Sequence, residues 1–167
     1  MNDPAERPAA RIVVLGVGNV LMCDEGVGVH AVNALEAGWT FPEGVRLVDG
    51  GTSTQELLGD LEDLDHLLVL DAVSAGVAPA SLVRLDGDEV PAVFTTKFSP
   101  HQVGIADLLA TLKFVGRAPK RVVVFGVEPA RLTLDLTLSP EVQARVPELC
   151  AQVLAELAAL GMPAQPR

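Results

Sequence analysis

The chain has 167 residues, a formal net charge of −10, 49% apolar residues and 20% charged residues. That length suits one domain with a substantial core. The acidic balance disfavours nucleic acid and anionic membrane surfaces, both of which reward clustered Lys and Arg.

Residues 1–10 are polar and Pro/Ala-rich, with no basic stretch leading into an apolar core, so they read as a flexible segment rather than a signal peptide. "RIVVLGV" (11–17) is a continuous β-branched run, the pattern of a strand buried on both faces. A glycine-rich turn follows. Residues 26–37 then place Val27, Val29, Val32 and Leu35 at helical spacing, ended by Gly38. "VRLVD" (45–49) is a short strand and Gly50-Gly51 turn the chain. Ser53 with Glu56 spells a capping box that opens a helix over 54–61. "HLLVLDAV" (66–73) is a second fully buried strand, and "SLVRLD" (81–86) a less apolar one suited to a sheet edge.

A helix is expected over about residues 100–113, with Ser99 at its N-cap, Pro100 at N1 and Gln102 completing a capping box. Its apolar face is Ile105, Leu108, Leu109 and Leu112. "RVVVFGV" (121–127) is the fifth strand. A last helix starts at Ser139-Pro140 and runs to about Leu160, with Val142, Val146, Leu149, Val153, Leu157 and Leu160 on one face. Residues 161–167 read as a loose tail. No apolar run approaches the ~20 residues that span a bilayer. Cys23 and Cys150 stand far apart, without a CxxC or Cys/His cluster, and read as reduced thiols. The expectation is a soluble, cytoplasmic protein with one α/β domain over residues 11–160.

Strands alternating with helices imply a three-layer α/β fold: a mainly parallel, twisted sheet of about five strands with helices on both faces. Such sheets bind ligands outside the carboxyl ends of the strands, where strand order reverses. If the first three strands lie in the order 2-1-3, that crevice falls between the strands at 11–17 and 66–71.

"GVGNVLMCDEGVGVH" (16–30) enters this crevice, and its glycines first suggest a dinucleotide loop. Leu21 occupies the place of the third glycine of GxGxxG, however, and Asp24 and Glu25 would repel a pyrophosphate. Asp49 keeps the place of a ribose-binding acid. The two adjacent acids also have a purely structural use, as charges favoured at a helix start. Asp71 is more telling, because it interrupts the end of a buried apolar strand and carboxylates are rarely buried without a partner. A capping role in the following loop is its structural alternative.

His101 falls in the first turn of its helix, where the dipole favours the neutral imidazole that a metal requires. His30 and His66 read as structural. Glu25, Asp71 and His101 lie on three element ends that this topology can bring to one rim. They form a possible ligand set for a borderline divalent ion such as Zn²⁺ or Ni²⁺. There is no HExxH and no GxSxG, and Cys23 beside two acids is not an activated thiol.

Four motifs in order then carry a resemblance: "GVGNVLMCDEGVGV" (16–29), "DGGT" (49–52), "DHLLVLDAV" (65–73) and "SPHQVGIADLLA" (99–110). Together they resemble the [NiFe]-hydrogenase maturation endopeptidases over residues 11–160, and "EVPAVFTTKFSPHQ" (89–102) is similar to the uptake-hydrogenase branch. The resemblance implies a peptidase that removes a C-terminal extension from a hydrogenase large-subunit precursor after nickel insertion. It implies that Glu25, Asp71 and His101 are the metal-contacting and catalytic positions. Nickel would be supplied by the precursor, and zinc or cadmium are other ions suited to the same donors. It also implies that Asp49, Gly50, Gly51 and Thr52 recognise substrate. The rival expectation is a nickel-checking chaperone that binds the precursor without cutting it. Asp24 is left the role of stabilising the helix start.

Overall fold

Strand β1 (Ile12–Val17) is buried along its whole length, because its alternate residues serve two different cores. Ile12 and Val14 face one cluster, built with Val27, Ala31 and Leu35 and with Leu149, Val153 and Leu157. Val13, Leu15 and Val17 face the other, with Leu57, Leu61, Ile105 and Leu112. This period-two division makes the sheet the middle of three layers. The computed structural model describes residues 10–87, 89–90 and 100–167, without the side chains of residues 54 and 100–104.

Helix α1 (Val27–Gly38) follows β1 through a 3₁₀ turn at Cys23–Gly26. Then come β2 (Trp39–Thr40), β3 (Val45–Gly51), α2 (Leu58–Leu61), β4 (His66–Ala72) and β5 (Leu82–Asp86). The chain continues through α3 (Pro100–Phe114), β6 (Arg121–Val127), α4 (Pro140–Gln143), α5 (Val146–Ala159) and β7 (Gln165–Pro166). The main sheet has the order β3-β1-β4-β6-β5. Its pairs are parallel except β5 with β6, which is antiparallel at the edge. The 2-1-3 order of the first three strands therefore holds, and the crevice lies between the carboxyl ends of β1 and β4.

Three local expectations are corrected. Ser53 makes no side-chain cap; its segment starts as a 3₁₀ turn over Thr54–Leu57 before the single turn of α2. The long final helix is two helices. Pro147 cannot continue a helix, because its ring would meet the carbonyl four residues back, so the chain stops after Gln143 and restarts at Val146. Ser139 does cap the first piece, with its Oγ accepting from the Val142 amide at 3.4 Å. The expected loose tail is tied down: β7 pairs antiparallel with β2, and the Arg167 amide donates to the Gly38 carbonyl at 3.0 Å. The Ser99 cap lies outside the described residues.

The glycines of the first motif set how closely the layers approach. A Cβ on Gly28 would collide with the main-chain oxygens of Leu70 and Val17. Gly28 thus provides the close helix-to-strand contact that a dinucleotide fold assigns to its third glycine. Replacing Gly28 with alanine is expected to lower stability by about 2–3 kcal/mol, since backbone atoms cannot swing away as a side chain can. A lowered urea midpoint checks this; an unchanged midpoint would refute the packing argument.

Candidate active site

Gly18 makes the turn out of β1 with φ +136°, a region open to glycine, and a Cβ there would strike the Glu25 carbonyl oxygen. The turn at Cys23–Gly26 therefore folds directly onto the end of β1. Cys23 itself takes φ +52°, unusual for a residue with a side chain. The turn also packs against β4. Glu25, half-buried, is part of that turn.

Asp71 lies next to last in β4, opposite Gly126 of β6, and is fully buried. One of its oxygens accepts from the following Ala72 amide at 2.8 Å. Along β4 it shares parity with Leu67 and Val69, which belong to the core beneath α3. Helix α3 ends near the amino ends of the strands: the Arg117 amide returns to the Leu112 carbonyl at 2.8 Å and the Lys120 amide reaches Leu64 at 3.0 Å. Its 15 residues run back about 20 Å at 1.5 Å each, which puts the first turn, with His101, toward the carboxyl rim. The His101 side chain lies outside the described residues.

The DGGT loop occupies the other flank of β1. A cleft of about 370 Å³ is lined by Gly18, Asn19, Val20, Leu21 and Val29 on one side and by Asp49, Gly51 and Thr52 on the other. The Gly18 amide donates to the Gly51 carbonyl at 2.9 Å. Asp49 accepts from the Gly51 amide at 3.1 Å, fixing the turn. Gly50 points differently from its neighbours. It is buried, and a Cβ there would press on Leu15, Leu57 and Val17, so its lack of a side chain serves the core rather than the cleft.

Asp24 is the residue whose importance the sequence hides. It is fully buried and accepts from the Ala130 amide at 2.9 Å, the Arg131 amide at 2.7 Å, the Ser139 amide at 2.7 Å and Ser139 Oγ at 2.8 Å. Burial by itself would raise its pKa, but hydrogen bonds from Ser139, Arg131 and Ala130 outweigh that and hold the carboxyl below its usual 3.8. Asp24 clamps the distant 130–139 segment to the turn that carries Glu25. It is a structural anchor beside the site, more than a charge at a helix start. No local pattern signals this, since the partners lie 106 to 115 positions away.

No helix among the described residues is long and apolar enough to cross a membrane. Comparison with known proteins agrees with the geometry. The family model described as HycI, hydrogenase maturation protease, matches residues 29–156. The Hydrogenase 2 maturation protease of Escherichia coli strain K12 is 48% identical over 158 residues, spanning 94% of this chain and 96% of that protein. The hydrogenase expression/formation protein HupD of Rhodobacter capsulatus is 40% identical over 161 residues, spanning 95% and 76%. Among solved structures, the hydrogenase maturating endopeptidase HybD from E. coli matches with a TM-score of 0.91 at 47% identity, covering 94% of this chain and 98% of that one. The [NiFe] hydrogenase maturation protease HybD from Thermococcus kodakarensis matches at 0.72 with 26% identity, covering 89% and 99%. By the family model, by these relatives and by the shared fold, the chain belongs to the hydrogenase maturation protease family and is a peptidase.

Proposed function

We propose that this peptidase removes the C-terminal extension of a [NiFe]-hydrogenase large-subunit precursor once nickel has been inserted, and that Glu25, Asp71 and His101 engage the nickel the precursor carries. What supports this reading is the fully buried Asp71 near the carboxyl end of β4, the turn bearing Glu25 that packs against the same strand, and the first turn of α3 running toward that rim. Fully burying an acid such as Asp71 at a ligand crevice costs stability, and function is the usual reason to keep one there.

Two carboxylates and a neutral imidazole suit a borderline divalent cation. A nickel-loaded precursor gains a contact that a nickel-free one lacks, so metal loading becomes a condition for productive binding. Water then adds to the scissile carbonyl carbon, the C–N bond breaks and the leaving amine takes up a proton. The activating group is either the substrate's nickel or one of the two carboxylates. Asp49, Gly51 and Thr52, on the cleft beside β1, hold the extended segment of the substrate.

The test is the intact mass of the precursor after incubation with this protein, with and without nickel loading. Shortening by one fixed C-terminal fragment, only in the loaded sample, is the expected result. Equal cleavage of both samples would overturn the nickel requirement, and an unchanged mass in both would overturn the cleavage.

A further inference from the structure

Residues 130–138 carry an apolar sequence in an exposed position. Leu132 is 38% exposed, Leu134 81% and Leu136 67%. Each would gain by burial, and folding leaves them in water while Leu138, next in the series, is buried. The segment is nevertheless held firmly. Asp24 fixes both of its roots, at Ala130 and Arg131 on one side and at Ser139 on the other. Its middle is fixed as well: the Asp135 amide donates to the Leu21 carbonyl at 3.0 Å, and the Cys23 amide donates to the Asp135 carbonyl at 2.9 Å.

The place of attachment decides what this arm faces. Leu21, itself 52% exposed, lines the cleft beside the DGGT loop. Cys23 opens the turn that presents Glu25. The exposed leucines therefore continue the wall of the substrate cleft on the carboxyl side of the sheet. The arm is also electrically quiet within a chain of net charge −10. Asp135 is engaged by Arg131 at 3.5 Å and by Thr137 at 2.8 and 2.9 Å. A rigid, neutral, apolar ledge beside a protease cleft matches the buried centre of a protein–protein interface.

We propose that residues 132–136 form a docking arm for the body of the hydrogenase precursor, gripping the folded substrate while its C-terminal segment lies in the cleft. The proposal rests on the precursor being the substrate. The precursor is the occupant that the arm's continuity with the cleft selects, because the arm is bonded directly to Leu21, which lines that cleft. Among the described residues the most exposed apolar side chain is Phe114, at 92%; it ends α3 at the opposite end of the sheet and has no such continuity.

The experiment uses the double variant Leu134→Ser/Leu136→Ser, with Phe114→Ser as control. Binding to immobilised nickel-loaded large-subunit precursor is measured alongside cleavage kinetics, thermal unfolding and size-exclusion elution. The double variant is expected to unfold at the parental temperature and to bind the precursor at least about tenfold more weakly. The loss should appear in KM far more than in kcat, as removal of uniform binding does. Phe114→Ser should bind as the parent does. Parental binding by the double variant overturns the proposal. So does a parent that elutes as a dimer and a double variant that elutes as a monomer with precursor affinity intact, which would make the arm a self-association surface. A parent that binds the precursor without shortening it would overturn the cleavage reading alone, while a weaker double variant would still support the arm.

Discussion

Asp71→Asn, Glu25→Gln and His101→Ala are each expected to leave the nickel-loaded precursor at full length. The predicted fall in cleavage rate is about a thousandfold or more, or about 4 kcal/mol of barrier at 1.36 kcal/mol per decade. The first two exchanges keep side-chain size, so packing around the fully buried Asp71 and the half-buried Glu25 changes little. What they remove is the charge that engages a cation or accepts a proton. Glu25→Asp keeps the charge and shortens the reach, and it should retain part of the activity. Intact mass reports cleavage, and an unchanged thermal midpoint separates a chemical effect from a folding one. Parental cleavage by all three variants would sink the site assignment, while loss with Asp71→Asn or Glu25→Gln alone would mark that carboxylate as the activating group.

Asp24→Ala should cost about 3–5 kcal/mol of stability, a magnitude typical of breaking a buried charged network. The Ala130, Arg131 and Ser139 amides would all lose their acceptor at once. Asn is a poor substitute, because its NH₂ would face an amide that also donates. The acid dependence has a definite sign. The carboxyl's pKa is depressed in the folded state, so its contribution is present above the unfolded value of 3.8 and disappears as pH falls through the lower folded value. The stability gap between parent and Asp24→Asn, from urea midpoints, should therefore be full at neutral pH and narrow only below about pH 4. A gap that is already closed at pH 6 would show that Asp24 is not the clamp. Because the clamp roots the leucine arm and abuts Glu25, any Asp24 variant that still folds should also lose precursor affinity.

The elements that carry long runs or strict periodicity could be read directly. β1, β4 and β6 stand where continuous apolar runs placed them, and α1 and α3 bury the residues that their spacing selected. The burial of Asp71 was also legible, because its carboxylate closes a run that is otherwise apolar. Misreadings arose where one residue decides a local contest. Pro147 ended a helix that the apolar periodicity alone would have continued, and Ser53 sits before a 3₁₀ turn that leaves its cap unmade.

By itself the sequence determined the strand–helix alternation and the family, since these follow from periodicity and from motifs whose residues lie close together in the chain. Only the tertiary structure decided which flank of β1 holds the DGGT cleft, that Gly28 does the packing expected of a third glycine, and that Asp24 is an anchor rather than a helix-start charge. These depend on partners up to 115 positions apart. Hydrogen bonds and close contacts over such separations leave no period in the chain, and only folding brings their members within reach.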